Sequence, residues 1–398
     1  MLKLGYFTYS NFTPSETFIY DLVKSLNADP DINVTLVSGQ RTDKMPDGID
    51  IKSIAVGYGE NFYDTQAIRM SKIIQIRGKG SEMKMKFRKW VTNRKLNSKN
   101  IPIFDIAFVE YANTGVRLMD YFEARKIPFV VHVHGQDITS MPNDTAYCNE
   151  LKKMFIKAKA FIAASHYMKR RLILLGCNEQ KIEVIRLGVD GKLITPLPWE
   201  RRKKLVPNII FLGNLVEKKN PIALLHAFRI VKNKIPNAIL SIIGSGPLKD
   251  TVCKTIENLG LSDSVTMYGT LKRSESFPII NNHWIYAQHS VTSINGDTEG
   301  FAISLAEAAL HELPVVSTVH NGITENVIDG KTGFLVPEYD YETMAEKIIY
   351  LIQHPDIAEQ MGKAGREHIL QLCEPGKRVK LIKELLFKAV QKQNIEII

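Results

Sequence analysis

The sequence predicts an α/β protein built from two doubly wound, Rossmann-like parallel-sheet domains. Three observations carry that prediction: a length of 398 residues, short β-branched runs alternating with longer helical patterns, and one proline-rich basic break near the middle. A chain this long exceeds one ordinary core, and domains of roughly 100–200 residues suggest two. Strand-like runs separated by helical patterns imply βαβ units and therefore parallel sheets.

In the first half the strand candidates are KLGYFTY, NVTLVS, IDIKSIAV, DIAFVEY, PFVVHVH, AFIAAS and IEVIRLG. In the second half they are NIIFLGN, AILSIIGS, SVTMYGT, WIYAQH, LPVVST and TGFLVP. Between the two sets lies GKLITPLPWERRKKLVPN, where Pro196, Pro198, Pro207 and a basic run interrupt the alternation. The expected layout is therefore a first domain over 1–190, a linker over 191–207 and a second domain over 208–375. The remaining 376–398 reads as a basic amphipathic helix packing back on the first domain. Ligands of open parallel sheets bind beyond the carboxyl ends of the strands, so two such domains predict a cleft between them.

Composition narrows the function. No apolar run approaches the roughly 20 residues of a membrane span. The start reads as a buried strand and lacks a signal peptide's cleavage region, so a cytoplasmic protein is expected. Cys148, Cys177, Cys253 and Cys373 are scattered without metal-ligand spacing and read as reduced thiols. The net charge of +10 is concentrated: residues 69–99 hold eleven Lys and Arg against Glu82, interleaved with Met, Phe and Trp. That pattern suits an anionic membrane surface on the cytoplasmic face, and equally a solvated helix face. Nucleic acid is not expected, because no nucleic-acid motif accompanies the charge. The Asp-Pro-Asp stretch at Asp29 reads as a turn rather than a metal motif.

Glu299 and Glu307 flank and enter the apolar stretch GFAISLAEAALHE, which reads as a helix starting at Gly300. Eight helical residues rise about 12 Å, too far for a glycosidase carboxylate pair but suited to two ends of a long ligand. The backbone N–H groups of Gly300, Phe301, Ala302 and Ile303 would meet an anion or hydroxyls there. A nucleotide-sugar has those dimensions, with Glu299 accepting from the sugar and Glu307 from the ribose. Taken alone, the pair reads more simply as an acidic first-turn residue and a surface glutamate.

IIFLGNLVEKKNP offers a phosphate cradle: Gly213 for close backbone approach, then Lys218 or Lys219 as a flexible cation. Gly244-Ser245-Gly246 ends the next strand, but the third glycine of a dinucleotide fingerprint is replaced by Lys249, so no nicotinamide cofactor is expected. In FVVHVHGQDI, His132 and His134 share one strand face, and either can be structural. His134 stands apart because it ends the strand and precedes Gly135 and Asp137. Ser15, with Glu16 and Thr17, reads first as a helix cap.

The stretch TEGFAISLAEAALHELPVVST…NGITENVIDGKTGFLVPEYD resembles the donor-site signature of glycosyltransferase family 4, retaining enzymes of the GT-B fold. SETFI at Ser15 is similar to the branch that builds bacterial exopolysaccharides. The resemblance implies a nucleotide-sugar as substrate, with a UDP-sugar favoured and a GDP-sugar second, no separate cofactor and no metal. It implies that Lys219 binds the diphosphate, and that Asn214 stands where the family has an arginine. It places Ser245, Tyr268 and Thr270 beside the nucleotide, and His134 near the reacting carbon. Separately, Glu110 and Asn113 are expected on the acceptor side from their place after the fourth strand, together with Asp137 and Ser15. The activity implied is retaining transfer of a hexose-type sugar to a saccharide or lipid-linked acceptor in cell-surface polysaccharide synthesis. The alternatives are a GT-B-fold nucleotide-sugar epimerase and a turnover-deficient nucleotide-sugar-binding scaffold.

Overall fold

The structure is a computed structural model that describes residues 1–9, 16–40, 50–58 and 80–396. Ser15 and residues 69–79 of the basic segment lie outside the described residues. The chain divides into two compact units, Met1–Arg186 with Gly376–Ile398, and Leu187–Pro375. All thirteen strand-like runs form strands, seven in one sheet and six in the other.

The first sheet holds β1 (Leu2–Thr8), β2 (Ile32–Ser38), β3 (Lys52–Ala55), β4 (Ile106–Glu110), β5 (Phe129–Val133), β6 (Ala160–Ala163) and β7 (Ile182–Val184). Its order is β3-β2-β1-β4-β5-β6-β7, with every neighbour parallel. β4 and β5 are buried along their whole length, as the covered centre of a parallel sheet requires. The order reverses between β1 and β4, which is where such sheets open a crevice.

Register decides what faces that crevice. Tyr6 pairs with Phe108 and Glu110 with His132. Side chains alternate along a strand, so Tyr6, Phe108, Glu110, His132 and then His134 fall on one face. The other face carries Phe7, Val109, Val131 and Val133 into an apolar core with Val116, Met119 and Phe122 of the helix Ala112–Ala124. Truncating one of these buried phenylalanines would cost about 3–5 kcal/mol.

The second sheet holds β8 (Asn208–Leu212), β9 (Ile239–Ile243), β10 (Val265–Gly269), β11 (Ile285–Ala287), β12 (Val315–Thr318) and β13 (Gly333–Val336). Its order is β10-β9-β8-β11-β12-β13, again parallel, and it reverses between β8 and β11. Ile209, Phe211, Leu240 and Val316 pack under the helices Pro221–Lys234 and Tyr341–Gln353. Ile210, Ile243, Tyr286 and Val315 pack under the helix Ile303–Leu310.

The segment 191–207 lies within the second unit. It forms a tight turn at Gly191–Leu193 and the one-turn helix Trp199–Arg202. Arg202 is fully buried and donates to the carbonyls of Glu312 at 2.9 Å and His311 at 2.8 Å. Arg366 donates to the Leu310 carbonyl. Two guanidiniums thus close the negative end of the Ile303–Leu310 helix, whose other end lies beside β11, where the second sheet changes direction. The last helix, Pro375–Glu396, buries Ile382 and Leu386, and its Lys383 lies 2.9 Å from Asp29 and 2.6 Å from Asp31. The Asp-Pro-Asp turn is therefore tied to that helix.

The helix at the glutamate pair begins later than expected, at Ile303 rather than Gly300. Phe301 is buried, and the carbonyl of Gly300 abuts Gly322, so residues 300–302 run irregularly before the first turn. Glu299 accordingly sits in the loop before the helix, and the 12 Å helical rise between the glutamates does not apply.

Candidate functional site

The second unit gathers a polar cluster at the carboxyl ends of β8 and β11. Lys219 ends a tight turn over Glu217–Lys219, and Asn220 caps the helix that follows by accepting from Ala223 N–H at 3.2 Å. That geometry turns the Lys219 side chain back toward the sheet, 2.9 Å from Glu299 Oε1 and 3.4 Å from Gln288 Oε1. The Lys219–Glu299 contact is an ion pair. Glu299 is buried, which alone would raise its pKa. The ammoniums of Lys219 and Lys218 outweigh burial and hold it down at about 2.

Gln288, the residue just beyond β11, is fully buried. Its Oε1 lies 2.9 Å from Tyr286 OH, and its Nε2 donates to Ser290 Oγ at 2.7 Å. Tyr286 OH also stands 2.9 Å from Ser304 Oγ in the first turn of the Ile303–Leu310 helix. Gln288, Tyr286 and Ser304 thus tie Lys219 to that helix start. Ile303 and Ser304 precede the first bond of the helix, Leu305 N–H to Ala302 O, so their N–H groups sit at its positive end.

Lys218 points elsewhere, lying 3.2 Å from Asp297 and 3.5 Å from the Thr298 carbonyl. It ties the loop before Glu299 rather than standing beside Lys219. Glu307 is buried and ion-paired to Arg273, whose Nη2 is 3.1 Å and Nε 3.2 Å from Glu307 Oε1. Neither Arg273 nor Gln288 carries a motif that sequence reasoning could have used.

The loops after β8, β9 and β10 are knitted together. Gly213 N–H donates to Ile243 O, Gly244 N–H to Gly269 O, and Leu215 N–H to Ser245 O. Gly244 has φ +141°, and a β-carbon there would stand 1.9 Å from Gly213 O, so only glycine allows the approach. Gly246 is similarly tight against Leu215. Asn214, Tyr268 and Thr270 are exposed, and Ser245 is half-buried.

The first unit holds a second cluster. Glu110 is fully buried; its Oε1 accepts from Tyr6 OH, and its Oε2 lies 2.5 Å from His134 Nε2. His132 Nδ1 is 3.1 Å from the same oxygen but off the hydrogen-bonding direction. Burial would raise the Glu110 pKa, but the two imidazoles outweigh it and hold the carboxyl well below the usual range. Burial, and then His134, push His132 down to about 3, so it is neutral. Phe18 and Tyr111 flank the His134 ring at centroid distances of 4.7 and 4.6 Å. Asp137 accepts from the N–H groups of Ala112 at 2.8 Å, His134 at 3.2 Å and Gly135 at 2.9 Å. Its carboxylate thereby shapes the turn that carries His134. Asn113 is half-buried and accepts from Thr114 N–H.

Among the described residues, Glu110, His132 and His134 form the group whose potential metal-ligand atoms lie within 4.8 Å of one another. Two ligands of one tetrahedral zinc stand about 3.3 Å apart, given bonds near 2.0 Å. The 2.5 Å separation of His134 and Glu110 is a hydrogen bond instead, and as arranged the trio does not fit an ion.

Comparison with known proteins agrees with this architecture. Residues 199–368 match the family described as Glycosyl transferases group 1, and residues 15–192 match Glycosyltransferase Family 4. WcaL of Escherichia coli (strain K12), provisionally named a colanic acid biosynthesis glycosyltransferase, is 33% identical over 59% of this chain and 58% of its own. The amylovoran biosynthesis glycosyltransferase AmsK of Erwinia amylovora is 29% identical over 55% of this chain and 54% of its own. The chain thus spans a little over half the length of these curated relatives. The Anabaena protein HepE, solved with UDP and glucose, superposes with a TM-score of 0.74 at 17% identity, over 98% of this chain and 100% of that one. The two sheets are those of the GT-B fold, and the chain carries a glycosyltransferase family 4 domain followed by a glycosyl transferases group 1 domain.

Proposed function

We propose that the protein is a retaining glycosyltransferase of cell-surface polysaccharide synthesis. It moves a hexose-type sugar from a nucleotide diphosphate sugar, a UDP-sugar by preference, to a saccharide or lipid-linked acceptor. The observation that carries this reading is the Lys219–Glu299 pair, 2.9 Å apart at the switch point of the second sheet. An ammonium beside a helix N-terminus suits a diphosphate, and a fully ionised buried carboxylate suits sugar hydroxyls. A donor laid across the pair replaces their mutual contact with one to each. HepE, solved with UDP and glucose, supports a uridine donor by fold alone.

In the reaction proposed, the bond between the anomeric carbon and the diphosphate oxygen breaks, and the nucleotide diphosphate leaves. The acceptor oxygen bonds to the same face of that carbon and passes its proton to a leaving-phosphate oxygen. Lys219 and the N-terminus of the Ile303–Leu310 helix stabilise the charge that develops on the diphosphate. Glu299 orients the sugar, and Glu307 with Arg273 holds the ribose. Gly213, Gly244, Ser245, Gly246, Tyr268 and Thr270 line the nucleotide side. His134 serves the sugar and acceptor side with Asn113 and Ser15, while Glu110 holds the His134 ring and Asp137 holds its turn.

We place the protein at an anionic membrane surface through the helix Gly80–Asn97. Met83, Lys86, Phe87, Trp90 and Arg94 fall within about 100° of one another on a helical wheel. Met83 is 46% and Trp90 55% exposed, and the Arg94 guanidinium stands 5.6 Å over the Trp90 ring. Lys89 is on the opposite side, ion-paired to Asp120 at 2.7 Å and Glu150 at 2.6 Å. No helix of the described residues is long and apolar enough to cross a membrane.

A second reading, a nucleotide-sugar binder without turnover, is favoured by Asn214 standing where the family has arginine. Incubation with UDP- and GDP-sugars separates the readings. Slow release of nucleotide, and transfer with retained anomeric configuration once acceptor is present, supports the transferase. A thermal shift without turnover supports the binder, and sugar inversion at another carbon supports an epimerase.

A further inference from the structure

Glu299 is held from behind by a chain of hydrogen bonds that begins buried and runs out to the surface. Its backbone N–H donates to His320 Nε2 at 3.1 Å. The other ring nitrogen, His320 Nδ1, lies 2.6 Å from Glu338 Oε1. The second oxygen of Glu338 accepts from Thr292 N–H at 2.8 Å, and Tyr339 OH donates to Thr292 O at 3.2 Å. Both ends of the loop Thr292–Glu299 are therefore tied to the segments after β12 and β13. His320 is 1% exposed. The turn that carries it is pressed against the loop, since a β-carbon on Gly322 would stand 1.9 Å from Gly300 O. Asn326 extends the support by donating to the carbonyl of Ala302 at 3.0 Å.

The partners fix the state of the ring. Nε2 faces the Glu299 N–H, so it must accept. Nδ1 faces a carboxylate, so it must donate. Only a neutral imidazole protonated on Nδ1 satisfies both sides. A protonated Nε2 would set one N–H against another and release the loop. The charged groups facing this ring are the carboxylates of Glu338 and Glu299, the latter ion-paired to Lys219.

We infer that His320 and Glu338 are positioning residues of the donor site, a carboxylate–imidazole strut that fixes the Glu299 backbone so that its side chain stands against Lys219. The strut touches neither the sugar nor the diphosphate. It acts by holding the loop in one place, and so governs turnover more than nucleotide affinity. The functional half of this inference rests on the glycosyl-transfer reading; the structural half does not.

The test combines two measurements. The first uses full-length protein with ¹⁵N-labelled histidine and amide hydrogen exchange, without any sugar. The imidazole signal that vanishes in His320→Gln should be that of an Nδ1–H tautomer near neutral pH. Exchange of the Thr292–Gly300 amides should accelerate about tenfold or more in His320→Ala, as expected when a buried donor loses its acceptor. An Nε2–H tautomer, or unchanged exchange, overturns the strut whether or not the protein turns over sugars. The second measures UDP-glucose hydrolysis and UDP binding. His320→Ala should lower kcat about 10- to 100-fold with little change in UDP affinity, and His320→Gln, which keeps an acceptor for the Glu299 N–H, should recover part of that loss. Equal kcat in wild type and His320→Ala overturns the positioning role while leaving the transferase reading intact. If His320→Ala does not fold, Glu338→Gln provides the same comparison.

Discussion

Lys219 and Glu299 come from loops after different strands, β8 and β11, yet their charged atoms stand 2.9 Å apart. The contact exists because β8 and β11 are neighbours at the point where the second sheet changes direction. Each residue conditions the other: the ammonium keeps a buried carboxylate ionised, and the carboxylate keeps a half-buried ammonium in place.

Breaking this pair on one side should cost more than removing both sides. Lys219→Met leaves Glu299 buried without its principal counter-charge, a loss of about 3–5 kcal/mol for a fully buried pair and less here because Lys219 keeps some solvent contact. The double variant Lys219→Met/Glu299→Gln should recover much of that stability. Urea titration of the four proteins checks it. Additive losses would mean that the pair carries no coupling.

Turnover should separate the two residues. Glu299→Gln should reduce sugar transfer about 10²- to 10³-fold while UDP still binds. Lys219→Met should weaken UDP far more than uridine, because only UDP presents the diphosphate. Calorimetric titration with both ligands is the check, and equal losses would remove Lys219 from the phosphate site.

Acid should unfold the second unit early. Burial, above all, pushes His283 and His289 down to about 4 and His311 to about 3, from an ordinary 6.5. The unfolded chain binds these protons near pH 6.5 and the folded unit refuses them until about pH 4. Stability is therefore whole above pH 6.5 and falls as pH drops through that window, up to tenfold in the unfolding constant per histidine per pH unit. Glu299, held at about 2 against an ordinary 4.5, adds a further loss between those values. Trp199 and Trp284 are both buried in this unit, so tryptophan fluorescence during urea unfolding reports on it. A midpoint unchanged between pH 7.5 and 5.5 would contradict this.

Arg273→Met should raise the donor KM about tenfold with kcat little changed, because it leaves Glu307 without the cation that orients it. Steady-state kinetics over donor concentration measures the split. A loss confined to kcat would place Arg273 nearer the reacting carbon.

Trp90→Ser with Met83→Ser should weaken binding to vesicles of anionic lipid, and Lys86→Glu should do so in a salt-dependent way. Both surfaces are exposed, so folding should be unaffected. Flotation assays at two salt concentrations test it. Unchanged flotation would leave the helix as a solvated face.

Much of this architecture was legible in the sequence. Strands such as FVVHV and ILSII are apolar on both faces because parallel sheets are covered on both sides, and that leaves a plain signal. Lys219 and Glu299 were legible through glycine-flanked loops after strands and a family signature. The start of the Ile303–Leu310 helix was not, because Phe301 and Gly300 are committed to tertiary packing that overrides the apolar periodicity. Glu110 was read as acceptor-facing from its place after a strand, but register turns it inward onto Tyr6 and His134, and pattern alone does not fix that. The His320–Glu338 chain was invisible for a similar reason. Its links join segments after different strands, and no local spacing marks them.

The central claim is that Lys219 and Glu299 part to hold the diphosphate and the sugar of one donor. Diffraction from crystals grown with UDP-glucose tests it most directly. The account predicts diphosphate oxygens within about 3 Å of Lys219 Nζ and glucose hydroxyls on Glu299, with the start of the Ile303–Leu310 helix beside the diphosphate. A diphosphate bound away from that helix start, with the Lys219–Glu299 contact intact, would contradict it.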